Sequence, residues 1–486
     1  MTLTSAIRTA TNALANSSRQ VATISQNISG VGNSDYVRRD AQVVSTSYGQ
    51  TVYVNRQVDQ TLSEALGVAN SGKAYQQVLN NYFGQLANVL DTDGDQSPSA
   101  LLGSLGDAID LAAANPSNAV ALESVAERAR DIAQAISSAY SQILALKQDA
   151  DKAAGGSVDQ INDLLASIRE INDQIVQGTK VGRDVLDAMD QRDALVSKLS
   201  QEIGISVVAR ADNDIAIYTS SGLTLFDKIP RSVEFVETGV FDATTAGNAL
   251  YIDGVPATGP DAVLPITDGK LAGYIQARDE LFTGQQNRLD ELARGLVETF
   301  AEHDQTGGGK PDLAGLFTWS GGPSVPASGT LETGIALSLK LNPALDFSAG
   351  GDITLLRDGG INGDADYVSN TTGAISFSDR LLDLGAGISQ SRSFDLSVGL
   401  GSTGGLDSFV DSFVGAFEQA RSDASNKLAY QTELQARLQE SLQSETGANL
   451  DYEMSKLLEV QKAYQASAKM IAAVDELFDT LLKAVG

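Results

Sequence analysis

Leu3, Ile7, Ala10, Leu14, Ser17, Val21, Ile24 and Ile28 follow one another at alternating spacings of four and three, with mostly small or polar residues between them. This rhythm predicts one amphipathic helix carrying a heptad seam. Gly30 and Gly32 end it, and Asn33-Ser34-Asp35 reads as a turn. Residues 36–60 are expected to be extended, because Val43, Val44, Val52, Tyr53 and Val54 are β-prone. A helical block over about 60–200 comes next, interrupted at Asp91–Asp95 and Pro98 and again at Asn115-Pro116-Ser117. Within it, Val125, Ala129, Ile132, Ile136, Ile143 and Leu146 line a helix over 119–150. Gly155-Gly156 predicts a break, and Val158, Ile161, Leu165, Ile168 and Ile175 line the face that follows. Leu186, Met189, Leu195 and Leu199 mark a helix over about 184–203. Long helices with polar backs suit a bundle rather than a catalytic α/β sheet.

After Gly204 the period changes. Ile205–Val208 and Ile215–Tyr218 read as strands around a Ser220-Ser221-Gly222 turn. Leu281, Leu289, Leu292, Leu296, Val297 and Phe300 place a helix over 269–303. Residues 307–405 are rich in Gly, Ser, Thr, Asp and Pro, with candidate strands at 335–341, 352–357 and 373–377, and read as a small outer β-rich insertion. The chain is then helical to its end, with a break at Thr446-Gly447.

The expected fold is therefore mainly α with a β-rich part: long terminal helices pairing as a coiled coil, a central helical bundle and an inserted small β domain. The expected units are 1–32 with 449–486 as a terminal assembly domain; 33–204, 266–306 and 406–448 as the bundle; 205–265 as a β-rich segment attached to it; and 307–405 as the outer insertion. Neither terminal helix has a large partner adjacent in sequence. Their apolar faces must be buried against each other or against another subunit, although any long-helix protein shows the same pattern.

Composition narrows the function. The 486 residues are 42% hydrophobic, enough for sizeable cores, and carry 34 Lys and Arg against 62 Asp and Glu, for a net charge of -28. A nucleic-acid partner needs a basic face to displace counterions, so none is expected. The absence of cysteine excludes disulfides, thiolate metal sites and cysteine nucleophiles. No stretch approaches the roughly 20 apolar residues of a membrane span. Leu3 and Ile7 stand isolated among Thr2, Thr4, Ser5, Arg8, Thr9 and Asn12, so no cleaved signal peptide is expected.

Candidate chemistry is thin. His303 is the only histidine, expected at a helix end where an imidazole bonds the last carbonyls, and it has no companions for a triad or a zinc site. Asp91, Asp93 and Asp95 suggest a calcium loop. However, its sixth position would be Gln96 and its twelfth Leu102, where Gly and Glu are required. In Asp190-Gln191-Arg192-Asp193 the two aspartates share a helix face. They are either an acid–base pair or an ion-paired surface holding neighbouring helices in register. No glycine-rich phosphate loop stands between strand and helix, and no cofactor is expected. An acidic secreted hydrolase stays open on composition alone.

The ends of the chain are more specific. Ile24-Ser-Gln-Asn-Ile-Ser29 followed by Tyr36-Val-Arg38 resembles a stretch near the start of bacterial flagellar rod, hook and hook-associated proteins. Asn449-Leu-Asp-Tyr-Glu453 and the run from Leu457 to Phe478 resemble their C-terminal helix. Ser157–Asn162, Ile171–Ile175, Leu186–Asp193, Phe300–His303 and Leu316-Phe317 are similar to the hook-associated protein 1 family in particular. Asp35 and Val37 depart from the glycine and threonine usual there, and the second insertion is rather short.

The resemblance implies a structural subunit, not an enzyme, at the junction of hook and filament outside the cell. It would be exported through the flagellar type III apparatus with an export chaperone and without a cleaved signal. Its partners would be copies of itself, the hook protein and the second hook-associated protein. The implied assembly seam is Leu3, Ile7, Leu14, Val21, Ile24, Asn27 and Ile28 on the first helix, and Leu450, Met454, Leu457, Tyr464, Ile471, Phe478 and Leu481 on the last. Tyr36, Arg38, Asp190, Gln191, Arg192 and Asp193 are implied to be structural. A rod or hook subunit is the nearest alternative. It shares both termini, but the G-x-G-F-F-like run general among such subunits is not found here.

Overall fold

The first helix, α1, runs Leu3–Gly30 in the computed structural model, which describes residues 3–46, 49–92 and 94–485. It ends where the Tyr36 ring occupies the space a Cβ on Gly30 would need. The extended region that follows is an antiparallel hairpin of β1 (Arg39–Thr46) and β2 (Gly49–Arg56), with Arg39 opposite Arg56 at its open end.

Three capped helices come next. In α2 (Gln60–Leu90) the Asp59 carboxylate accepts from Leu62 N–H at 2.9 Å. Ser97 caps α3 (Pro98–Ala114), and Asn118 caps α4 (Ala119–Lys180). α4 differs from the sequence reading: it runs 62 residues straight through Gly155-Gly156. Two interior glycines cost about 2 kcal/mol of helix propensity. The buried faces on both sides, from Ile132 to Ile143 and from Val158 to Ile168, outweigh that cost.

α4 thereby crosses two hydrophobic cores. Its first half packs with α2 and α3 in one, around Leu86, Leu105, Ile109, Val125 and Ile136. Its second half packs in the other with α5 (Leu186–Glu202) and an antiparallel sheet of β3 (Ile205–Ala209), β4 (Ile215–Thr219), β5 (Thr224–Asp227) and β6 (Ile229–Pro230). Beside it lies a three-stranded sheet of β7 (Val233–Glu234), β8 (Tyr251–Ile252) and β9 (Val255–Pro256).

The helix expected at 269–303 also bridges both cores. α6 (Lys270–Gln276) places Leu271 and Ile275 in the second, a π-helical turn covers Ala277–Leu281, and α7 (Phe282–Thr299) places Phe282 and Leu289 in the first. At the crossing, the Arg278 and Asp151 side chains are each 1% exposed and pair at 2.6 Å.

Residues 307–405 differ most from expectation. They contain only two-residue strands, β10 (Phe317–Thr318) with β11 (Lys340–Leu341) and β12 (Arg392–Ser393) with β13 (Thr403–Gly404). Among these are the short helices α8 (Ile335–Ser338), α9 (Leu355–Asp358) and α10 (Asp379–Ser389). The strands expected at 335–341 and 352–357 are mostly helical turns, and 373–377 holds no strand. Side-chain caps explain this. Asp290 on α7 accepts from Gly334 and Ala336 N–H (2.8 and 2.9 Å), Asp352 from Thr354 N–H (2.9 Å) and Asn370 from Ala374 N–H (3.0 Å), which favours turns instead of a ladder. Phe317, Ile335, Leu356 and Leu381 pack into the first core, so this segment shares a core with the bundle.

α11 (Leu406–Thr446) runs antiparallel to α2, with Thr92 on Glu418 at 2.7 Å and Lys73 on Gln435 at 3.4 Å. α12 (Leu450–Val485) returns along α1.

Candidate assembly site

Both ends of the chain meet at the β1–β2 hairpin. α1 reaches it with a polar stripe. Asn27, 1% exposed, donates through Nδ2 to Arg39 O at 2.8 Å. Its Oδ1 accepts from Arg39 N–H at 3.0 Å and from the Tyr36 hydroxyl at 2.8 Å. Burial pushes the Tyr36 hydroxyl up to about 12, so it stays protonated and donates. Two turns and three turns earlier, Gln20 and Asn16 donate to Ala41 O and Gln50 O, both at 3.3 Å. Amides at helical spacing thus satisfy carbonyls of both hairpin strands, Arg39 and Ala41 on β1 and Gln50 on β2.

α12 grips the same hairpin from its first turns. Arg38 Nε donates to Glu453 at 2.7 Å, the Arg38 guanidinium lies 4.3 Å over the Tyr452 ring, and Arg38 N–H donates to Thr446 O at 2.8 Å. Lys456 pairs with Asp40 at 2.7 Å and holds that carboxyl below its usual range. Glu453 is fully buried, and Arg38 is the cation paired with it.

The bundle holds the hairpin through α5. Asp190 bridges the two arginines that stand opposite each other at the open end, Arg56 at 2.8 Å and Arg39 at 3.4 Å. Like charges directly across a ladder repel, and one carboxylate between them removes that penalty. Burial nevertheless outweighs both arginines and raises the Asp190 carboxyl above its ordinary value. Asp187 adds an exposed contact to Arg39, and Asp193 pairs with Arg56 at 2.6 Å. These aspartates therefore engage the hairpin rather than a neighbouring helix. Arg192 alone reaches one, donating to Asn172 on α4 at 2.8 Å and to Asn213 O at 2.6 Å. Gln191 is exposed.

Of the seam residues, Ile24 and Asn27 are buried, while Ile7, Leu14, Val21, Ile28, Leu457, Ile471 and Phe478 are half-buried. Leu450, Met454, Tyr464 and Leu481 are exposed, and the Leu3 side chain lies outside the described residues. Arg39, Arg56, Asp40 and Lys456 were missed. Their signal is the pairing of Arg39 with Arg56, readable only once the hairpin register is known.

His303 lies four residues beyond the end of α7. It is exposed and pairs through Nδ1 with Asp312 at 2.8 Å instead of capping the helix. Asp93 lies outside the described residues. Asp91 closes α2 in a left-handed conformation and accepts from Gln96 N–H at 2.9 Å. Among the described residues no cluster of three ligating side chains could hold a metal, and no helix is long and apolar enough to cross a membrane.

The model of the flagellar hook-associated protein FlgK helical domain matches residues 83–315, which include α4, α5 and the Asp190 block. That of the flagellar basal body rod FlgEFG protein C-terminal region matches 439–484, which includes Glu453 and Lys456. Flagellar hook-associated protein 1 of Bacillus subtilis is 22% identical over 99% of this chain and 98% of its own length. The chain belongs to the flagellar hook-associated protein 1 family. The family member from Escherichia coli is 25% identical over 59% of this chain and 54% of its own length. The flagellar hook junction protein FlgK from Burkholderia pseudomallei shares the fold, with a TM-score of 0.57 at 14% identity over 78% of this chain and 100% of that one.

Proposed function

We propose that the chain is a structural subunit of the bacterial flagellum that forms the junction between hook and filament. One observation carries this reading. The first and last helices are clasped into a single unit at the hairpin, yet Leu450, Met454, Leu458, Leu477 and Leu481 on α12 remain exposed. Exposed apolar side chains of this size along one helix are a liability in a lone subunit and interface material in an assembly. On this reading the partners along the terminal helices are copies of the same chain, with hook protein below and the second hook-associated protein above. The subunit works outside the cell, reached through the flagellar type III export apparatus with a chaperone and without a cleaved signal. Its task is packing, and no residue is assigned catalysis.

The test is to locate the tagged full chain on isolated hook–filament structures. A narrow band at the junction is expected. Label along the rod, the hook or the whole filament would overturn the assignment. Deleting 450–486 should leave a cooperatively melting bundle that no longer joins hook to filament, and normal filaments with that deletion would remove the role given to α12.

A further inference from the structure

α1, β1, β2 and α12 pack closely with one another, and among the described residues neither hydrophobic core takes a side chain from any of them. The joint between this terminal unit and the bundle is narrow and polar. The chain crosses it at residues 57–59, between β2 and α2, and at residues 447–449, between α11 and α12. Among the described residues, Arg38, Arg39 and Arg56 at the open end of the hairpin carry its polar links. Where the contact between two parts of a chain is small and polar, relative motion is the default.

The links fall on two sides of the hairpin. Successive residues of an extended segment point to opposite faces. Arg38 and Asp40 both reach α12, whereas Arg39 reaches Gln26 on α1 at 3.1 Å and the aspartates of α5. Both chain crossings are tied to Arg38. Its N–H donates to Thr446 O at 2.8 Å, where α11 ends, and its carbonyl accepts from Gln57 N–H at 2.9 Å. Gly447 follows Thr446, and a Cβ there would collide with Gln443 O. On the other side Arg39 and Arg56 meet Asp187, Asp190 and Asp193 through side chains alone. The first side is a strap and the second a latch. The latch can part while the strap and the Arg38–Glu453 clasp stay whole.

We propose that the terminal unit swings as one piece about the strap at residues 57–59 and 447–449, and that Asp190, gripping Arg39 and Arg56, is the latch that holds it closed against α5. Such a joint lets α1 and α12 keep their packing on neighbouring copies while the bundles tilt. That use rests on the junction role proposed above; the swing itself belongs to the free chain and is measured there.

The chain has no cysteine, so pairs of spin labels can be placed singly where they are wanted. Ser18→Cys on α1 with Ala166→Cys on α4 spans the joint, and Ser18→Cys with Ala466→Cys on α12 lies within the unit; all three positions are exposed. Double electron–electron resonance reads both distances on the full chain, with and without Asp190→Ala. Loss of a buried bridging carboxylate should raise the open population ~100-fold. The pair across the joint should therefore gain a shifted second component, while the pair within the unit keeps its wild-type distance. Asp187→Ala, which removes an exposed contact, should leave both distances unchanged. An unaltered distance across the joint in Asp190→Ala would overturn the latch. A distance within the unit that broadened alongside it would overturn the swing, because the unit would then come apart rather than turn. Neither result touches the junction role, which the position of the tagged chain on hook–filament structures decides separately.

Discussion

Arg38 and Glu453 are 415 residues apart in the chain and 2.7 Å apart in space, and that contact ties the exit of the first helix to the start of the last. The Glu453 side chain is 1% exposed and the Arg38 side chain 14%. Removing the arginine strands a buried carboxylate, which costs on the order of 3–5 kcal/mol, whereas neutralising both partners costs less. Arg38→Ala should therefore speed amide exchange across 449–460 by ~100-fold or more, with the α2–α4 bundle unchanged. Arg38→Ala with Glu453→Gln should recover much of the protection. Equal exchange in Arg38→Ala and wild type would show that the clasp holds nothing.

At the other side of the hairpin, three aspartates of α5 touch the arginines, but they are not equivalent. Asp190 is 11% exposed and shared by Arg39 and Arg56, whereas Asp187 is 80% exposed. An exposed ion pair contributes about 0–1 kcal/mol. A buried bridging carboxylate, once lost, leaves two like charges facing across the ladder, at roughly 3 kcal/mol or more. Asp190→Ala should release the hairpin to limited proteolysis near Arg39 and Arg56, and Asp187→Ala should leave the cleavage rate near wild type. The reverse ranking would refute the bridging role of Asp190.

Periodicity made most of the helical architecture legible, because the helices bury regular faces. The 3–28 seam, the 36–60 extended pair and the helix through Leu289 and Leu296 all lie where the spacing puts them. Local signals misled where tertiary burial or capping overrode them. Gly155-Gly156 reads as a stop, yet α4 continues because both of its halves are clamped in cores. Residues 335–341 and 352–357 have β-prone patterns, yet Asp290, reaching over from α7, and Asp352 hold the backbone in turns. The assembly site was half visible. Arg38 and Glu453 each sit in a recognisable terminal motif, but nothing local says that the two motifs touch. Arg39 and Arg56 acquire meaning only from their register.

Asp290 sets a pH dependence. It is completely buried on α7, accepts from Gly334 and Ala336 N–H at 2.8 and 2.9 Å, and burial pushes its carboxyl up to about 7 in spite of those bonds. A carboxyl whose folded value exceeds its unfolded value of about 4 binds its proton more tightly in the folded state. This group's contribution to stability is therefore greatest below pH 4 and is lost as pH rises through 7, with an upper bound of about 4 kcal/mol. Asp242 and Asp304 have the opposite sign, held at about 2 by hydrogen bonds, and lose their contribution only as pH falls below about 4. Between pH 8 and pH 5 the Asp290 contribution stands apart from theirs. The urea midpoint should rise on acidification more in wild type than in Asp290→Asn, and identical shifts in the two proteins would remove Asp290 as the cause.

One methyl group added at two glycines near the junction of the cores should act with opposite signs. Arg278 is held by Asp151 at 2.6 Å, by Asp279 at 2.7 and 2.8 Å and by Asn248 O at 3.0 Å, so its guanidinium cannot swing aside. A Cβ on Gly247 would overlap that guanidinium. Gly247→Ala must either push a buried charge off its partners or move the loop, at about 1–3 kcal/mol or more. Gly156 lies exposed inside α4 and a Cβ there meets nothing within 4 Å, so Gly156→Ala gains about 0.5–1 kcal/mol of helix propensity. Thermal melting should place Gly247→Ala below wild type and Gly156→Ala above it. If Gly247→Ala melted with wild type, the guanidinium would not be pinned as the distances require. If Gly156→Ala melted lower, the continuity of α4 through that pair would depend on the glycine itself rather than on the two cores that hold its halves.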